Sequence, residues 1–356
     1  MKKSNRRADP FFQALLGALV LVLLGMAGCN KEATKPKANL TPYPLQVPAG
    51  LDKDYAKWIP ADNPLTTAKV NLGKMLYFDP RLSVDGTISC ATCHHPNFGF
   101  SNGVPFSPGF KGQFGDRNSP TELNRLYSTL QFWDGRAQSL EEQALGPVQN
   151  PVEMANTLPA MISSLQRIQS YKPLFREAFG TEEITADHVA KAIACFERTL
   201  LSGNSAFDRF QTGDDKAISA SAKRGFAVFI CKGNCSQCHS LPNFTDEQFH
   251  NLGVGMNKPN PDLGRYKVTK NDANKGAFKT PTLREIAQTA PYFHDGSAKT
   301  IEEVVEVYDR GGTRNPNLDA KVKPLRLTKQ ESKDLVAFMQ TLTGEPLKVE
   351  APPLPE

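Results

Sequence analysis

Cys90-Ala91-Thr92-Cys93-His94 and its echo Cys235-Ser236-Gln237-Cys238-His239 are the stretches on which the reading of this chain turns. Two thiols three positions apart, followed at once by an imidazole, form the pattern of c-type haem attachment. Each thiol adds to one vinyl group of a single haem, and the adjacent His lies under the ring and ligates the iron. A zinc site needs its C-x-x-C pairs close together, whereas 141 positions separate His94 from Cys235. A thioredoxin-like redox motif needs a βαβ pattern, and neither flank carries one. The chain is therefore read as holding two covalently bound haem c groups through Cys90, Cys93, His94, Cys235, Cys238 and His239.

The 356 residues suffice for two domains with cores of their own. β-signals are scarce and several helices are amphipathic, so the fold class is mainly α: two c-type cytochrome-like haem domains. Helices are expected over Pro64 to Tyr77, Ser139 to Leu145, Thr185 to Leu201 and Thr328 to Leu342. The Gly/Pro/Phe-rich loop from Phe98 to Gly115 is expected to wrap the first haem.

Export is written at the N-terminus. Lys2, Lys3, Arg6 and Arg7 precede an apolar run from Phe11 to Leu24, then Gly25-Met26-Ala27-Gly28-Cys29. Residues 1–28 read as a secretory signal peptide, and Cys29 as the lipid anchor of a periplasmic lipoprotein. Residues 29–50 read as a linker and 345–356 as a frayed tail. No other stretch approaches the roughly 20 apolar residues of a membrane span. Removing residues 1–28 takes away four basic residues and Asp9, leaving 38 basic against 36 acidic side chains, a charge of +2. A surplus that small gives no case for nucleic acid. Of seven cysteines, Cys195 and Cys231 remain unassigned, either as buried thiols or as a disulfide.

The two halves repeat each other at one offset. Ser119-Pro120-Thr121 matches Thr280-Pro281-Thr282, and the run Asp134 to Glu142 matches Asp295 to Glu303, both displaced by 161 residues. An internal duplication follows, with the haem domains placed at 51–205 and 206–344. In the second half Ile301, Val304, Val305 and Tyr308 fall on one helical face. Tyr308 is then placed to ligate the second haem iron opposite His239. Subtracting 161 gives Pro147, which cannot ligate. The first haem thus keeps His94 on one side and an open position on the other, where O₂ or peroxide binds. Gln143 and Glu153 lie around Pro147, and Glu153 is the candidate for moving a proton during O–O cleavage. Trp133, beside the repeated block, is a candidate electron carrier between the haems.

These residues resemble the bacterial di-haem cytochrome c peroxidases and their MauG relatives. The resemblance spans nearly all of residues 65–345. It rests on Arg117-Asn118-Ser119-Pro120-Thr121, Phe132-Trp133-Asp134-Gly135-Arg136, Leu140-Glu141-Glu142-Gln143-Ala144 with Gly146-Pro147, Asn150-Pro151-Val152-Glu153-Met154, and Pro291-Tyr292-Phe293-His294-Asp295-Gly296. It implies peroxide chemistry at the N-terminal haem, with Gln143 and Glu153 on its distal side. It implies electron storage at the C-terminal haem, with Trp133 between the two. It also implies a calcium ion held by the Asn118 side chain and the Thr289 and Pro291 carbonyls. Two departures from the ordinary peroxidases point toward MauG. Tyr308 stands where they carry Met, and the stretch Ser107 to Arg117, around Phe110, contains no His to block the first haem.

The expected function is reduction of hydrogen peroxide to water with electrons from a small periplasmic donor, a cytochrome c or a cupredoxin. The alternative is a MauG-like enzyme that oxidises a protein substrate. A reading of another class is a non-catalytic di-haem electron-transfer cytochrome, with both irons six-coordinate. A homodimer is also among the expectations.

Overall fold

The computed structural model describes residues 37–356. The expected signal peptide and the lipid anchor at Cys29 lie outside the described residues. In chain order the helices are α1 (Thr67–Phe78), α2 (Leu140–Gln149), α3 (Leu158–Arg167), α4 (Tyr171–Phe179), α5 (Ala186–Glu197), α6 (Ala206–Gln211), α7 (Ala220–Ile230), α8 (Ile301–Asp309) and α9 (Lys329–Gln340). Short helical turns join them, among them Cys90–Cys93, Cys235–Gln237 and Tyr266–Thr269. Two two-residue strands, β1 (Phe249–His250) and β2 (Phe278–Lys279), pair antiparallel. With α4 excepted, each numbered helix starts on a Ser or Thr whose hydroxyl accepts a first-turn N–H. The mainly α class stands. Among the described residues, no helix is long and apolar enough to cross a membrane.

Each half is built on a crossed helix pair that leads into its haem motif. α1 packs on α5 in the first half, and α7 packs on α9 in the second. A glycine sits at each crossing. A Cβ on Gly73 would collide with the Ala192 carbonyl, and one on Gly225 with the Asp334 carbonyl. The helices therefore touch backbone to backbone, and the haem motif of each half packs against the first helix of its pair. Each pair carries its own core: Leu72, Leu76, Val189, Ile193 and Phe196 in the first half; Ala222, Phe229, Leu335, Phe338 and Met339 in the second.

The 161-residue offset governs the backbone well beyond the matching letters. Turns Arg125–Tyr127 and Ile286–Gln288 correspond, as do the bridges Gln131–Ala137 and Tyr292–Ala298. Positive φ recurs at Asn124 and Glu285, at Phe132 and Phe293, and at Gly135 and Gly296. The helices α2 and α8 begin at equivalent residues, each with a reciprocal cap. Ser139 accepts from Glu142 N–H while Glu142 accepts from Gln138 N–H, and Thr300 and Glu303 do the same with Lys299.

Several boundaries differ from expectation. α2 runs through Pro147 to Gln149, because a proline in the last turn forfeits only the bond to the Gln143 carbonyl. α5 stops at Glu197, and Leu200 is buried in the turn beyond it. Within the expected linker, residues 39–50 are not a free tether. Asn39 N–H donates to the Glu177 carbonyl at 2.7 Å, Tyr43 N–H to the Leu65 carbonyl at 3.0 Å, and Leu45 and Val47 pack on Leu51, Leu126, Tyr127 and Leu201. The tail is not frayed either. Leu347 and Val349 pack on the first-half core, Arg81 donates to the Pro355 carbonyl at 2.9 Å, and Ser170 donates to the Glu356 carbonyl at 2.7 Å. Cys195 is buried while Cys231 is exposed, and both are free thiols, so they form neither a buried pair nor a disulfide.

Candidate functional site

Each haem motif opens on its own large cavity. The first, of about 1260 Å³, is lined by Cys90, Cys93 and His94, and also by Trp133, Gln143, Pro147 and Glu153. The second, of about 1670 Å³, is lined by Cys235, Cys238, His239 and Tyr308, and also by Asn118, Trp133, Thr289 and Pro291.

The ligand groups suit haem. His94 Nδ1 lies 3.2 Å from the Phe100 carbonyl and 3.1 Å from the Pro120 carbonyl, and His239 Nδ1 lies 2.9 Å from the Phe244 carbonyl. Donation from Nδ1 fixes the tautomer and leaves Nε2 for iron. Burial holds the His239 imidazole below its ordinary pKa and so keeps it neutral, as ligation demands. Burial also pushes the Cys93 thiol up to about 11 and Cys235 to about 12. Cys238, Asp246 and His250 come together beside the second cavity, but both His250 nitrogens are engaged by carboxylates, Asp246 at 2.9 Å and Asp319 at 2.5 Å.

Pro147 and Tyr308 hold corresponding places on α2 and α8, and each lines its own cavity. Burial, then Cys235 and Cys238, raise the Tyr308 hydroxyl well above the ordinary phenol pKa. Ser107, Pro108 and Gly109 also line the first cavity. Phe110 N–H donates to the Glu153 carbonyl at 2.8 Å, so this loop is tied to the segment carrying the candidate acid–base group. Burial raises the Glu153 carboxyl, while Arg136 and His94 oppose the rise. Gln143 lies one turn before Pro147 on α2.

Trp133 lines both cavities. Its indole N–H donates to the Asn118 carbonyl at 2.8 Å, and its own carbonyl accepts from Lys279 N–H at 2.8 Å. Asn118 and Lys279 are 161 residues apart, so duplicated positions pin the tryptophan from both sides. Asn118 Nδ2 donates to the Val104 and Pro105 carbonyls, at 3.0 and 3.3 Å, and Asn118, Thr289 and Pro291 all line the second cavity.

Several buried polar groups here were not singled out in the sequence. Glu122 accepts from Tyr77 Oη at 2.5 Å and comes within 3.7 Å of His94 Nε2. Glu197 lines the first cavity with its Oε2 unpartnered, and its carboxyl is raised by burial and then by Glu122. Arg125 lines the same cavity.

The family model described as di-haem cytochrome c peroxidase matches residues 67–216, and the cytochrome c model matches 222–343. The methylamine utilization protein MauG of Methylorubrum extorquens is 46% identical over 299 residues, covering 83% of this chain and 84% of that protein. The chain belongs to the di-haem cytochrome c peroxidase and MauG family. Cytochrome c551 peroxidase of Pseudomonas aeruginosa is 38% identical, over 82% of this chain and 83% of that protein. Among solved structures, a MauG-like protein associated with microbial copper homeostasis superposes with a TM-score of 0.75 at 30% identity, covering 83% of this chain and 96% of that one. Membership makes the chain a di-haem oxidoreductase with two c-type haem domains, as the paired motifs had implied.

Proposed function

We infer that this di-haem peroxidase takes peroxide at the His94 haem and keeps the second haem closed by Tyr308. The observation that supports the asymmetry is the occupancy of equivalent positions on α2 and α8 by Pro147 and Tyr308. Haem supplies the iron that binds and reduces peroxide. The protein's part is acid–base and positional. Glu153, raised by burial yet opposed by Arg136, accepts a proton from one peroxide oxygen and returns it to the leaving oxygen. The Gln143 amide orients the bound peroxide. Trp133, fixed at both its indole N–H and its carbonyl, links the two haems.

The finer assignments belong to the same reading. The haem domains are 51–205 and 206–344. Calcium is held by the Asn118 side chain and the Thr289 and Pro291 carbonyls. Three neutral oxygens suit a hard cation that takes six to eight oxygen ligands, the remainder coming from water or from carboxylates brought by haem. The enzyme is periplasmic, tethered through a lipid on Cys29 after removal of residues 1–28, and draws electrons from a small cytochrome c or cupredoxin.

The test is holo-protein mixed with hydrogen peroxide and reduced cytochrome c. Rapid oxidation of the cytochrome supports the peroxidase. A long-lived oxidised state that ignores cytochrome c moves the assignment to oxidation of a protein side chain, which the Tyr308 position favours. No reaction with peroxide leaves an electron carrier.

A further inference from the structure

The first cavity is lined by three arginines, and two of them are ion-paired. Arg117 is held by Asp134 at 2.7 Å and Asp262 at 2.6 Å, and Arg136 by Asp134 at 3.0 Å. Arg125 differs. Among the described residues, its Nε and Nη2 donate to the Gln131 side-chain oxygen at 2.9 and 2.6 Å, and Nη2 reaches the Leu130 carbonyl at 3.4 Å. These acceptors are neutral, and Nη1 makes no bond among the described residues.

Among the described residues, none of the carboxylates near Arg125 forms an ion pair with it. Glu247 takes Lys279 at 2.7 Å and Ser128 at 2.9 Å. Glu122 takes the Tyr77 hydroxyl. Glu197, its carboxyl raised by burial and then by Glu122, makes no ion pair with Arg125 among the described residues. A guanidinium shut in a cavity without a bonded counter-ion is costly. The cofactor that belongs in this cavity carries the opposite need, since haem c brings two propionate carboxylates that must also find partners.

We propose that Arg125, braced by Gln131, receives a propionate of the first haem. The planar guanidinium matches a carboxylate edge-on, and Gln131 fixes its orientation while leaving Nη1 for the cofactor. Arg125 is a positioning residue that fixes the ring and sets the charge around it. The second half has no counterpart, because the 161-residue offset places Ile286 at the position of Arg125 and Tyr292 at that of Gln131. Lys279 lines the second cavity but is already paired with Glu247. The two haems therefore differ at their carboxylate edge as well as at the iron.

A fixed positive charge beside the ring favours the reduced iron. The proposal predicts that Arg125→Gln lowers the midpoint potential of the first haem and leaves the second where it was, while Arg125→Lys gives a smaller shift. Redox titration of the full-length holo-protein without peroxide reads both haems in one sample. No change at the first haem, or an equal change at both, overturns the assignment. A measurement on the unaltered protein covers the case in which a variant fails to mature. The propionate bending band of the first haem in the resonance Raman spectrum should stand at its hydrogen-bonded frequency, and a band at the free position contradicts the proposal. The assignment rests on the two-haem reading but on no turnover, so its failure and failure of the peroxidase assay are distinguishable.

Discussion

Pro147 and Tyr308 occupy the same place in two copies of one helix, 161 residues apart, each on the wall of the cavity that its own haem motif opens. The copies start at equivalent positions, each after a hydroxyl cap and a glycine turn, so the difference at this position is not a shift of register. A ring imino acid offers iron no donor, whereas a phenol does. The proposed division of labour between the haems rests on that one contrast.

Glu153→Gln keeps the size and polarity of the side chain and removes its proton acceptor. Haem attachment should be unchanged, and peroxide reduction should slow by about 10²–10⁴-fold, the span general acid–base groups contribute. Stopped-flow measurement of peroxide consumption checks this. The pH profile carries a second signature. Burial raises the Glu153 carboxyl, so its ionised form is present above that raised value and is lost as pH falls through it. Activity should therefore fall on the acid side at a pH above the ordinary Glu value, and Glu153→Gln should abolish that limb.

Tyr308→Met should raise the potential of the second haem, because thioether ligation favours ferrous iron and phenolate favours ferric. Tyr308→Phe should open that iron to exogenous cyanide. An unchanged spectrum and potential in both variants removes Tyr308 from the coordination sphere.

Gly109→Ala tests how the first cavity is held open. A Cβ there would collide with the Val152 carbonyl and press on the Glu153 backbone. The variant should attach both haems, keep the second haem's spectrum, and lose peroxide reduction through displacement of Glu153. Wild-type turnover would show that the close approach is not needed.

Arg284 joins three parts of the chain. It donates to both Asp208 oxygens, at 2.8 and 3.0 Å, to the Pro242 carbonyl at 2.7 Å and to the Gly50 carbonyl at 2.5 Å. Arg284→Met leaves Asp208 buried without its counter-ion and should destabilise the fold by about 3–5 kcal/mol. Burial alone would raise the Asp208 carboxyl, yet Arg284 holds it below its ordinary 3.8. That stability is present above about pH 4 and is lost as pH falls through the lowered value. Denaturant melts across the acid range should show the loss in the wild type and its absence in the variant.

Much of this arrangement was legible because the duplication preserved letters where the backbone needs them. The Ser-Pro-Thr and Asp-Gly blocks mark turns, and the Ser139–Glu142 and Thr300–Glu303 caps mark helix starts. α3 and α4 were not among the expected helices; each carries a proline in its first turn, Pro159 and Pro173, where it forfeits no helical bond. The packed segments at either end had no period to read, since Leu45, Val47, Leu347 and Val349 bury single side chains rather than a helical face. Arg125 and Glu197 look like solvated charges in one dimension, and only the tertiary fold turns them into the first haem's cavity.

The measurement closest to the central claim is the EPR spectrum of the resting, fully oxidised holo-protein. One open and one closed iron should give a high-spin ferric signal from the His94 haem beside a low-spin signal from the His239 haem. A spectrum with low-spin signals alone, from the form that turns over peroxide, would mean that both irons are capped and that Pro147 leaves nothing free.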